Sequence, residues 1–149
     1  MKLRLVAVGR MSSDLTAAEA RYLKYLKPYA DVDVRELPQG RGRHAAQRIA
    51  DEEKHILKHA PAGFILFDVQ GKTMRSEQWA EYLERATSSG DIAFVIGGAD
   101  GVSPAVRSQS AQQWSLSALT LPHQLVRVLV LEQLYRATSL LHGHPYHRA

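Results

Sequence analysis

The chain has 149 residues, 45% hydrophobic and 23% charged, with no cysteine and a formal net charge of +4 at neutral pH. That length makes one domain, residues 1–149, able to bury about 70% of the surface its unfolded form exposes. The absence of cysteine excludes a disulfide framework, a thiolate nucleophile and a cysteine-ligated metal, and fits a reducing cytoplasm. No apolar run approaches the roughly 20 residues of a membrane helix, so no membrane partner is expected.

Residues 3–8 read as a strand, because Arg4, Arg10 and Asp14 break up the apolar stretch that a leader peptide would need. Ser12 or Ser13 is placed to cap a helix whose apolar positions Leu15, Ala18, Tyr22, Leu23 and Leu26 recur at helical spacing. Residues 31–37 form a half-exposed strand, and 39–43 (QGRGR) a flexible basic loop. A polar amphipathic helix follows over 44–59, its histidines at 44, 55 and 59 on a solvated face, and Pro61-Ala62-Gly63 ends it. Residues 64–69 are a buried strand that turns at Gln70-Gly71-Lys72. Ser76 caps a helix reaching Thr87, closed by Ser88-Ser89-Gly90. Residues 92–96 form a second buried strand, running into Gly97-Gly98-Ala99-Asp100-Gly101. A short helix from Ser103 precedes a strand over 114–117, and Pro122 opens a final helix to Leu141. Strands alternating with helices predict an α/β domain with a mainly parallel sheet flanked by helices.

In the final helix only Arg127 is polar between Leu125 and Leu131. A helix apolar all round is covered on both sides, and for a domain this small the simplest second cover is another copy of the chain. The expectation is a homodimer through this helix.

Gly97 and Gly98 follow a strand, where missing side chains let a ligand approach the backbone. The loop is neither GxGxxG nor a P-loop, so neither dinucleotide nor triphosphate binding follows, and a tight turn is the alternative reading. Residues 117–122 (SALTLP) carry no charge and would bind through backbone N–H and C=O groups and apolar contact. That suits an adenine; a buried strand end is the alternative. Together the two loops predict a pocket for a flat, mostly uncharged group such as an adenosine.

The tail, 142–148, concentrates imidazole, phenol and guanidinium groups. Without a nearby carboxylate or cysteine it makes a poor metal site, and no metal is expected. Substrate contact by Tyr146, His147 and Arg148 competes with a solvated tail. No G-x-S-x-G elbow is present, and Asp68, an acid at a strand end, has no second acid to make a dyad. From Gly101 onward the only acid is Glu132, against Arg107, Arg127, Arg136 and Arg148, which suits a phosphate-bearing partner.

Taken together, FDVQGKTMRSEQWAEYL, FVIGGADGVSP, SLSALTLPHQLVRVLVLEQLYRA and the terminal HPYHR closely resemble the RlmH family of SPOUT-superfamily methyltransferases, and MKLRLVAVGR also fits. The resemblance extends over essentially the whole chain; the SALTLPHQLVR block and the HPYHR ending are specific in combination. It implies a single SPOUT domain with a C-terminal trefoil knot, an obligate homodimer, and S-adenosylmethionine as cofactor. It further implies methylation of N3 of a pseudouridine in 23S ribosomal RNA of the large subunit, on the assembled ribosome. Carried over residue by residue, the cofactor site comprises Phe67, Gly98, Ser117, Ala118, Leu119, Thr120, Leu121 and Pro122, and Tyr146, His147 and Arg148 serve catalysis. The competing classes are a non-catalytic RNA- or ribosome-binding module and a SPOUT enzyme acting on another RNA.

Overall fold

Alternation along the strands sorts the apolar side chains into two cores. The structure, a computed structural model, describes residues 1–148. Its elements are β1 (Lys2–Val8), α1 (Thr16–Leu26), β2 (Asp31–Leu37), α2 (Ala45–His59), β3 (Ile65–Thr73), α3 (Ser76–Thr87), β4 (Ile92–Ile96), α4 (Pro104–Gln109), β5 (Gln112–Ser115) and α5 (His123–Leu141). The five strands make one sheet in the order β2-β1-β4-β3-β5, every pairing parallel. Leu3, Leu5 and Ala7 of β1 and Ile92, Phe94 and Ile96 of β4 pack with α1, α3 and α5 on one face. Val6, Val8, Ala93 and Val95 point the other way, toward Ile56 of α2 and Val106 of α4. A parallel sheet covered on both faces is why β4 reads as an unbroken apolar run. Trp79, Phe94 and Trp114 fill the larger core, with the Phe67 ring 5.5 Å from that of Trp79.

Several local expectations need correction. β3 does not turn at Gln70-Gly71-Lys72. Its pairing with β5 breaks after Phe67↔Trp114 and resumes at Lys72↔Trp114, so the irregularity lies inside the strand. Gly71 is required there, since a Cβ would sit 2.6 Å from the Gln113 carbonyl carbon. β5 begins two residues earlier than expected and ends at Ser115. Neither Ser12 nor Ser13 caps α1 with its side chain; the Ser12 carbonyl accepts from Leu15 N and Thr16 Oγ1 instead. Ser76 lies inside α3, where its hydroxyl donates to Gln133 Oε1 of α5 at 2.7 Å. The N-terminal N–H of Arg75 is satisfied by Gln78 Oε1. Ser103 does cap α4, accepting from Val106 N at 3.2 Å.

The basic loop before α2 is not a loose one. Gly40 N donates to Glu52 Oε2 (2.7 Å), Arg41 N to Asp51 Oδ2 (3.0 Å) and Arg43 N to Gln47 Oε1 (3.0 Å). A Cβ on Gly40 would lie 2.0 Å from the Arg48 carbonyl oxygen, so the loop presses directly on α2. Among the described residues no helix is long and apolar enough to cross a membrane.

Candidate active site

The carboxyl ends of β3, β4 and β5, with the loops that follow them, enclose a cleft of about 610 Å³. This is the end of a parallel sheet where ligands bind in open α/β folds, and the volume lies in the range of small-molecule sites. Phe67, Gly98, Ser117, Leu119, Thr120, Leu121 and Pro122 are in its wall. Ala118 belongs to the same loop but is not among the wall residues. The loop is shaped by hydroxyls: Ser115 Oγ donates to Ser117 O at 2.8 Å, and Ser117 Oγ accepts from Leu119 N at 3.0 Å. With the two serines so engaged, the loop presents its backbone and the exposed Leu119 to the cleft.

The glycine loop is held from outside the cleft by α2, a feature invisible in the motif. Arg48 forks onto Asp100, Nε to Oδ2 at 2.8 Å and NH2 to Oδ1 at 3.1 Å, and its NH1 donates to the carbonyls of Gly42 and Arg43. The guanidinium hydrogen bond holds the Asp100 carboxyl below its usual range. Glu52 is buried, with one carboxylate oxygen on Gly40 N and the other, Oε1, unpartnered. A Cβ on Gly98 would fall 2.7 Å from that Oε1. The residue at 98 is therefore small because of the protein's own carboxylate, not only because of a ligand. Glu52 escaped sequence reasoning because α2 reads as a polar surface helix.

Three further polar residues stand in the wall. His123, the first residue of α5, has a buried Nε2 without a partner. Asp68 and Arg107 form an ion pair in the wall, and Asp68 Oδ1 accepts from Gln70 N at 2.9 Å.

The tail residues lie elsewhere. The Tyr146 hydroxyl donates to Glu132 Oε1 at 3.0 Å, and its ring packs 4.5 Å from that of Tyr135 and 4.7 Å below the Arg136 guanidinium. Burial, reinforced by Glu132, pushes the phenol well above its ordinary range. His147 Nδ1 lies 3.2 Å from Arg136 NH1, which can only donate, so the ring proton is on Nε2, donated to Glu77 Oε1 at 3.1 Å. Arg148 is exposed. None of the three is in the cleft wall of its own chain.

Residues 1–147 match a family model described as "Predicted SPOUT methyltransferase". The chain belongs to this family. The SPOUT methyltransferase is 42% identical, over all of both chains, to "Ribosomal RNA large subunit methyltransferase H" of Stenotrophomonas maltophilia strain K279a. It is 43% identical to the protein of the same name from Neisseria meningitidis serogroup C, over 99% of each chain. Among solved structures, that of tRNA (m1G37) methyltransferase from Aquifex aeolicus superposes with a TM-score of 0.58. It covers 100% of this chain and 76% of that one, and at 13% identity it supports the fold alone. The enzyme is thus a single-domain α/β methyltransferase that requires a methyl donor.

Proposed function

We propose that this methyltransferase uses S-adenosylmethionine to methylate N3 of a pseudouridine in 23S ribosomal RNA of the large subunit, on the assembled ribosome. The observation that carries the reading is the strand-end cleft, whose loops offer backbone groups and apolar wall rather than charge, in a chain whose end-to-end relatives are named for the large-subunit RNA. The donor set fits the adenosyl group: Phe67 and Leu121 supply apolar contact, and the Ser117–Pro122 loop and the glycine loop supply backbone donors and acceptors. Bound there, S-adenosylmethionine supplies a methyl already activated on a sulfonium. What remains for the protein is to align N3 of the base with that methyl and to assist loss of the N3 proton, which is too weakly acidic to leave unaided at neutral pH.

The tail offers groups suited to that second task. In this reading Arg148 stabilises negative charge on the carbonyls flanking N3, and Tyr146 stacks on or orients the base. His147 is the proposed proton acceptor. In the arrangement seen here its one lone-pair nitrogen faces Arg136, so acceptance requires that contact to open. Because the tail packs on α3 and α5 and not on its own cleft, the reading includes a homodimer through α5 in which one chain's tail serves its partner's cleft. It also includes the C-terminal trefoil knot and a cytoplasmic location.

The test is methyl transfer from labelled S-adenosylmethionine to ribosomes from cells lacking the enzyme, with naked 23S RNA and separated subunits alongside. One methyl at N3 of one pseudouridine, on ribosomes, is expected. Label in another RNA, or none, would refute the assignment.

A further inference from the structure

Among the described wall residues of the cleft, Asp68 is the only carboxylate and Arg107 the only guanidinium, and there is no lysine. They come from different elements, Asp68 from the irregular part of β3 and Arg107 from α4. The Arg107 side chain is 40% exposed and that of Asp68 16%, so the pair stands where the cleft opens to solvent. Arg107 meets Asp68 Oδ2 through NH1, which also reaches Gln113 Oε1 at 3.5 Å. Its Nε and NH2 make no hydrogen bond with the described residues. A half-exposed pair of this kind contributes little to stability, while a guanidinium edge with two N–H groups to spare is suited to receive a carboxylate.

We infer that Asp68 and Arg107 form the subsite for the amino-acid arm of the methyl donor, Arg107 receiving its α-carboxylate and Asp68 its α-ammonium. The inference rests on the cofactor reading above. An adenosyl group is uncharged and suits the uncharged loops; the amino-acid arm is a zwitterion and matches an opposite-charged pair. A zwitterion inserted between the two side chains replaces one ion pair by two and leaves the net charge of the cleft unchanged. The pair would thereby select donors carrying the intact arm over adenosine fragments without it.

The experiment uses calorimetry on the intact protein with two probes, S-adenosylhomocysteine and 5′-methylthioadenosine, which share the adenosine and thioether but differ in the amino-acid arm. The unmodified protein should bind S-adenosylhomocysteine at least about tenfold more tightly, a difference of roughly 1.4 kcal/mol. Arg107→Gln and Asp68→Asn should each remove most of that preference, while affinity for 5′-methylthioadenosine stays within about twofold. Arg107→Lys, which keeps the charge without the fork, should fall between. Variants that weaken both probes equally would show a tether between β3 and α4 and overturn the subsite, as would variants that change neither. Unmodified protein that binds neither probe would overturn the cofactor reading itself, and the subsite with it.

Discussion

Gly98 and Glu52 show how a loop motif can depend on a residue far along the chain. The glycine after β4 is legible as a place where backbone is exposed to a ligand. Its other neighbour, a buried carboxylate on α2, is not legible, because helical periodicity gives Glu52 the same polar surroundings as Asp51 and Glu53 beside it, which are only half-buried. The contact predicts a specific coupling. Gly98→Ala places a methyl against Glu52 Oε1, and either the loop or the carboxylate must move. Affinity for S-adenosylhomocysteine should fall by about tenfold, roughly 1.4 kcal/mol. In a Glu52→Ala background the same substitution should cost less than about threefold, since the obstructing group is gone. Calorimetry on the four proteins gives the cycle; equal losses in both backgrounds would mean that Gly98 serves the ligand alone.

At the scale of elements, α5 illustrates what an apolar run does and does not reveal. The sequence shows a helix without a polar face, and the structure divides that circumference. Val128, Val130, Leu131 and Leu134 are buried within the chain, leaving Leu125 and Leu129, each 37% exposed, on the outer side. Arg127 is not a surface charge: it is 4% exposed and paired with Glu19 and Glu36. Replacing it by methionine would leave the mostly buried Glu19 without its partner, so Arg127→Met should lower stability to urea by about 3 kcal/mol. Of the apolar positions, Val128→Glu would damage the chain's own core, whereas Leu129→Glu tests the interface. Light scattering at micromolar concentration should find the Leu129→Glu protein monomeric, with its circular dichroism unchanged. A dimer of unchanged affinity would move the interface off α5.

The tie between α2 and the glycine loop has a pH signature. Asp100 is held below its ordinary value of 3.8 by Arg48. A depressed carboxylate contributes its stability above the ordinary value and loses it as pH falls through the lower folded value. The difference in thermal stability between the unmodified protein and Arg48→Gln should therefore be flat from about pH 5 to 8 and shrink only in stronger acid. A difference that changes across neutral pH would point to another titrating group. Strand and helix order was legible throughout because the apolar periods are strong. The ends of β3 and the caps of α1 and α3 were not, since a bulge and a borrowed carbonyl leave no mark in composition.

For the whole molecule, the main fact is the separation of cleft and tail within one chain. The cleft side was legible: the glycine loop and the uncharged SALTLP loop do meet, at the ends of β3, β4 and β5. Where Tyr146, His147 and Arg148 would act was not, because no periodicity says which copy of a chain a tail visits. Here Tyr146 packs on Glu132, Tyr135 and Arg136 of α5, His147 lies between Arg136 of α5 and Glu77 of α3, and Arg148 is exposed. In the proposed dimer, one chain's cleft and its partner's tail make one active site. The direct measurement mixes two disabled chains, one lacking residues 146–149 and one carrying Gly98→Val, isolates the heterodimer through two affinity tags, and assays methyl transfer to unmodified ribosomes. Each homodimer should be inactive, and the heterodimer should recover about half of the normal rate, from its single complete site. A heterodimer as inactive as its parents would show that each tail serves its own cleft and would contradict the shared site.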